Sequence, residues 1–243
     1  RFYSPASTVA CFCGKFERDK IISLCKRYFS SPANKSVIPA LPKADFCPGV
    51  HIFDKKTEQN QIVIGFSAPS LGSDSRFACQ LIASMLGGSA SSRLFRRLRE
   101  EQGLVYSVDA CASSYLSAGV FAVSMGVSRE SEKKAVLTAA EVLREFPDTV
   151  TEEELDLARD HYLSGLIMSL ESNSARAARY GTGELLLGGA ISEKELEEKI
   201  RGVSIDEIRS LARSFSSLSD ACICAVGRTA GAKFYNKVVS GKK

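Results

Sequence analysis

The chain has 243 residues, 32 Lys and Arg against 28 Asp and Glu, two histidines, eight cysteines and no tryptophan. At roughly 100–200 residues per domain this is one or two domains, enough to bury a core. Apolar residues make up 44% and charged residues 25%, which excludes a disordered or collagenous chain, and the mild, interspersed charge argues against nucleic acid or a membrane surface as partner.

No apolar run reaches the roughly 18 residues of a membrane-spanning helix. The opening RFYSPASTVACFCG has no basic n-region leading into an apolar h-region, so no signal peptide is read. A cytoplasmic or organelle-matrix location is the expectation.

In chain order, Thr8 to Cys13 reads as a strand, followed by Gly14 and a helix from about Glu17 to Phe29. Residues 31–48 carry four prolines, which read as an extended linker because proline lacks an N–H and restricts its predecessor. A long strand follows in HIFDKKTEQNQIVIGFSAP, with Ile62, Ile64 and Phe66 on one face. Ser73 or Asp74 can cap a helix that ends at Gly87-Gly88. A second helix, SSRLFRRLREEQG, stops at Gly103, and a hairpin spans roughly 104–114 and 118–127.

The rest is mainly helical. One helix is expected to end before Pro147, and the next opens with Thr151 and Glu154 spaced as a capping box. Two short helices, the strand ACICAVG and a last helical turn close the chain. A hairpin beside a block of helices predicts an α+β fold, a largely antiparallel sheet with helices on one face. The strand-Gly-helix of residues 8–29 is echoed by residues 221–239, so the first reads as the closing strand and helix of an earlier, similar unit.

Candidate chemistry is sparse. His51 and His161 are far apart in sequence, whereas catalytic zinc takes three protein ligands, often two His one helical turn apart. Both read as ordinary polar residues. Cys11/Cys13 and Cys222/Cys224 are Cys-x-Cys pairs in strand-like segments; period-two spacing puts each pair on one face, and the simplest reading is small buried apolar side chains. In GGSASSRLFRRLREEQGLVYSV the glycines follow a helix and read as a turn rather than a phosphate loop. Arg96–Glu100 and Arg97–Glu101 have the spacing of solvated i,i+4 pairs. Arg99 in the last helical turn and Tyr106 on the following strand can face one pocket across Gly103, a guanidinium and a phenol suited to a peptide carbonyl or developing oxyanion. The plainer alternative has Arg99 capping carbonyls and Tyr106 packing.

The run LGGSASSRLFRRLREEQGLVYSV, the hairpin with SAGVFAVSMGV and the segment KKTEQNQIVIGF resemble the second half of the pitrilysin/insulinase family of zinc peptidases. The resemblance implies one of two similar α+β halves closing as a clamshell around a chamber. The first half of such enzymes carries H-x-x-E-H and binds zinc; the second lacks it and supplies an Arg and a Tyr near the scissile bond, here Arg99 and Tyr106. Zinc is thus expected in an N-terminal half and no cofactor in this chain. Where the zinc motif would stand, this chain has Gln80-Leu81-Ile82-Ala83-Ser84, so the chain alone is expected to be inactive. The implied partners are a zinc-bearing N-terminal half, in the same polypeptide or a separate subunit, and a peptide substrate, with dimerisation left open. The division expected is 1–30 as the end of the preceding half, 31–48 as linker and 49–243 as the inactive peptidase domain. The competing expectation is a non-catalytic subunit or scaffold of a larger assembly.

Overall fold

The computed structural model describes residues 7–29 and 44–241. They fall into two compact units, residues 7–29 with 163–197 and residues 44–162 with 198–241, so the helical stretch 163–197 groups with the N-terminal segment. Most of the proline-rich linker, and residues 1–6 of the N-terminal segment, lie outside the described residues.

The larger unit is built on a sheet of β1 (Gly49–Asp54), β2 (Asn60–Ala68), β3 (Val105–Ser114), β4 (Gly119–Val127) and β5 (Cys222–Gly227), in the order β1-β5-β2-β4-β3. The expected hairpin is β3–β4, and β2 pairs antiparallel with both β4 and β5. The single long strand expected over 51–69 is instead two strands that do not pair with each other. After Asp54 the chain loops back, and β5 inserts between them, parallel to β1. A period-two pattern shows which residues share a face but not where a strand hydrogen-bonds.

Alternation sets the two faces. Ile62, Ile64 and Phe66 are buried while Gln61, Val63 and Ser67 are exposed; Ile223 and Ala225 are buried between half-buried Cys222 and Cys224. The buried face meets α2 (Ser75–Gly87), α3 (Glu132–Thr149) and α7 (Ile205–Arg213), whose apolar stripes include Leu81, Ile82, Leu86, Val136, Leu143 and Ile208. At its centre Phe121 stacks on Phe215, with ring centroids 4.5 Å apart, and Phe66 leans on both. Such a cluster adds offset-stacking energy to the area it buries. This is the α+β architecture expected, with a mixed sheet.

A buried polar knot fastens the edge of this unit. Glu132, fully buried, accepts hydrogen bonds from Asn60 Nδ2 at 2.6 Å, from the Ala230 N–H at 2.8 Å and from the Tyr235 hydroxyl. It joins β2, the start of α3 and α8 (Ala232–Val239). Burial, and then the bond to Glu132, push the Tyr235 phenol up.

The smaller unit holds α1 (Arg18–Phe29), α5 (Asn173–Leu187) and parts of α4 (Glu152–Leu170) and α6 (Glu193–Gly202). Thr8 to Cys13 form no strand, because no neighbouring strand pairs with them among the described residues and an unpaired segment has no ladder to join. Neither α1 nor α5 contains a buried residue.

Three further local expectations change. α3 runs through Pro147 to Thr149; near a C-terminus the missing N–H removes one bond from a turn that is ending anyway. The Asp74 carboxylate makes no cap but pairs with Lys199 Nζ at 3.0 Å. Cys11 is exposed and Cys13, Cys222 and Cys224 are half-exposed, so only Cys79 among the free thiols is a buried apolar side chain.

Candidate functional site

Gly87 explains why two glycines precede the Arg-rich segment. A Cβ at Gly87 would stand 2.2 Å from the Ala110 backbone nitrogen, so α2 rests directly on β3. Gly88 has φ −81° and follows without a left-handed turn. Gly87 thus serves a close helix–strand approach, and Gly88 ends α2, its N–H bonded to the Ser84 carbonyl.

The segment that follows winds as a π-helix over Phe95–Glu100, a wider spiral that occurs at functional sites. The Glu101 N–H bonds to the Arg96 carbonyl, five residues back. This register moves Arg96 from the expected Glu100 to Glu101, at 3.8 Å, while Arg97–Glu101 pairs as expected at 3.3 Å. Arg93 fixes the segment's start. Its guanidinium makes a fork onto Glu154, at 2.8 and 2.6 Å, and also binds Thr149. Burial works against the Glu154 charge, but the Arg93 hydrogen bond and the Thr151 N–H outweigh it and hold this carboxyl below its ordinary range. Thr151 and Glu154 form the expected capping box, with reciprocal bonds of 3.2 and 3.3 Å.

At the segment's end Gly103, with φ +59°, makes the reversal that a side chain would resist. Arg99 and Tyr106 come together across it. The Arg99 guanidinium lies 5.5 Å from the Tyr106 ring centroid and 5.3 Å from that of Phe95, and it donates to the Tyr106 carbonyl. Tyr106 is 68% exposed, and its hydroxyl has no partner among the described residues. Arg99 is thus both capped onto a carbonyl and held between two rings, while Tyr106 is a free donor rather than a packed side chain. A cavity of 980 Å³ in the same unit, lined in part by Leu137, Arg144, Phe234 and Lys237, does not include them. The pair stands on an open surface.

The place of a zinc motif is occupied by groups that cannot ligate. On α2, Gln80 Nε2 donates to the Ala112 carbonyl, Ala83 is buried, and Ser84 Oγ lies 3.4 Å from His161 Nδ1. Among the described residues no three His, Cys, Asp or Glu side chains are gathered to hold a metal ion. This donor set does not fit zinc. Cys79, beside the motif position, is equally inert: burial, then the nearby Cys111, push its thiol up to about 12.

The fold is thus an α+β domain whose α2 lacks zinc ligands and whose following turn brings Arg99 and Tyr106 together. A family profile described as the peptidase M16 inactive domain matches residues 1–162, and the chain belongs to that family. It is 30% identical over 213 residues to a protein named uncharacterized zinc protease YmxG, from Bacillus subtilis, covering 87% of this chain and 52% of the relative. The chain spans about half the length of the curated relatives it matches. Among solved structures it resembles a protease from Helicobacter pylori, with TM-score 0.75, 18% identity, and 88% of this chain and 53% of the other covered. A chain of complex III from Candida albicans gives TM-score 0.81, 17% identity, and 93% and 57% covered.

Proposed function

We propose that this chain is the non-zinc half of a zinc metallo-endopeptidase and supplies substrate contacts to a zinc-bearing half. The observation that carries the proposal is the placement of Arg99 against Tyr106 on an open surface, beside a helix emptied of zinc ligands. Arg99 offers charged N–H groups to a carbonyl or carboxylate of an extended peptide. Tyr106 offers a neutral O–H to the oxygen that gains charge as the scissile carbonyl is attacked. Phe95 and the Tyr106 carbonyl hold the guanidinium in place, so little ordering remains for substrate to impose. The hydrolytic centre belongs to the other half. The apolar side chains left open on α1 and α5 fit a surface that the zinc-bearing half covers. The N-terminal residues, with α1, then close the preceding half, and 49–243 is the inactive peptidase domain.

The second reading is a non-catalytic subunit of an assembly, with the fold of the Candida complex III chain behind it. The Arg99–Tyr106 pair favours the first, because a scaffold has no use for an exposed, oriented donor pair. The experiment joins this chain to the zinc-bearing half and follows hydrolysis of a fluorogenic peptide. Arg99→Ala or Tyr106→Phe should lower turnover about 10- to 1000-fold, as for lost transition-state donors, with bound zinc unchanged. Wild-type turnover in both variants would remove the assigned role.

A further inference from the structure

Two thiols and an imidazole, Cys222, Cys224 and His51, share the open face of the sheet, and the proposed peptidase role uses none of them. The parallel pairing of β1 with β5 sets His51 opposite Cys224 and Gly49 opposite Cys222. Cys222 and Cys224 alternate with buried Ile223 and Ala225, so both thiols stand on the open face. Burial raises the Cys222 thiol above its ordinary range, and the neighbouring Cys224 and Cys47 add to that rise. Cys222 is flanked by Gly49 on one strand and Gly65 on the other, so neither neighbouring position sets a side chain of its own beside the sulfur. The His51 ring leans into the space over Gly49: a Cβ there would stand 3.7 Å from Nε2. All three cysteines are free, Cys47 exposed and Cys222 and Cys224 partly buried.

Thiolate and imidazole donors select soft ions such as Cu(I), or zinc. A tetrahedral zinc site needs four ligands closed around one point, which the described residues do not gather. Cu(I) is satisfied by two thiolates in a near-linear arrangement. We propose that Cys222 and Cys224 form a two-thiolate site for a soft ion of the Cu(I) type, with His51 beside it as a neutral nitrogen donor. On binding, each thiol gives its proton to solvent, two Cu–S bonds form, no electron moves, and the complex carries one net negative charge. Affinity therefore rises with pH. Cys11 and Cys13 share the Cys-x-Cys spacing but lie in no strand, and Cys13 donates to Asn173 Oδ1 at 3.5 Å; they serve as the internal control.

The test uses the whole chain, reduced and without oxygen, titrated with Cu(I) against a chromophoric Cu(I) chelator. The wild type should retain one equivalent at chelator levels that strip isolated thiols. Cys222→Ser with Cys224→Ser should lose that equivalent, Cys11→Ser with Cys13→Ser should keep it, and His51→Ala should weaken it several-fold. In parallel, Cu(I) should shield Cys222 and Cys224 of the unmutated chain from alkylation, read by mass mapping, while Cys11 and Cys13 remain reactive. Equal retention by the Cys222/Cys224 variant, or no shielding of that strand, overturns the proposal.

Discussion

The two compact units contrast in how far each completes its own core. The sheet-bearing unit buries Phe66, Phe121 and Phe215 together and satisfies even a buried carboxylate, Glu132, with three donors. In the helical unit α1 and α5 bury nothing, and Phe12, Phe16, Tyr28, Ile167, Met168 and Leu185 remain exposed. Under the proposed function these are the side chains that the zinc-bearing half covers. The sheet-bearing unit thus completes its own core and bears Arg99 and Tyr106, whereas the helical unit leaves apolar side chains uncovered.

The contrast can be broken most sharply at Glu132. Glu132→Ala takes the acceptor from the buried Tyr235 hydroxyl and from the Ala230 N–H and leaves Asn60 Nδ2 with only the Arg228 carbonyl, and should destabilise the sheet-bearing unit by about 3–5 kcal/mol, read as an earlier chemical-denaturation midpoint. Arg93→Ala comes next. It removes the fork onto Glu154 and should cost about 1–3 kcal/mol. Because the Glu154 carboxyl sits below its ordinary range when folded, its contribution is present above the unfolded-state pKa and is lost as pH falls through the folded value. Glu154→Gln should therefore lie below wild type at neutral pH, converge on it as pH falls, and so flatten the acid side of a stability–pH curve. The smallest effect is expected in the helical unit, where Leu185→Ser with Leu187→Ser should change the stability of this chain by less than about 0.5 kcal/mol per site, yet weaken its association with the zinc-bearing half.

Much of the fold was readable from period alone. Ile62, Ile64 and Phe66 show the buried face of β2, and the hairpin of β3 and β4 follows from its alternation. What period cannot carry is long-range pairing. That β5 inserts between β1 and β2 depends on contacts across more than a hundred residues of chain, and it is this insertion that places His51 beside Cys224. The Arg99–Tyr106 pair was legible because Gly103 keeps it local. The π-helical winding was not, since no residue type prefers it; the shift of Arg96 from Glu100 to Glu101 is its only trace in the charge pattern. Glu132 gave little signal, for a glutamate in the first turn of a helix is the ordinary solvated choice.

Hydrogen exchange on α1 and α5 tests most directly whether this chain is one half of a two-half enzyme. Alone, these helices should exchange far faster than β2 and β4, as elements with no buried side chains do. On addition of the zinc-bearing half, protection should rise in α1 and α5 and stay unchanged in the sheet core. Protection of α1 and α5 already equal to that of β2 and β4 in the isolated chain, or no gain on mixing with a half that restores peptidase activity, would contradict the account.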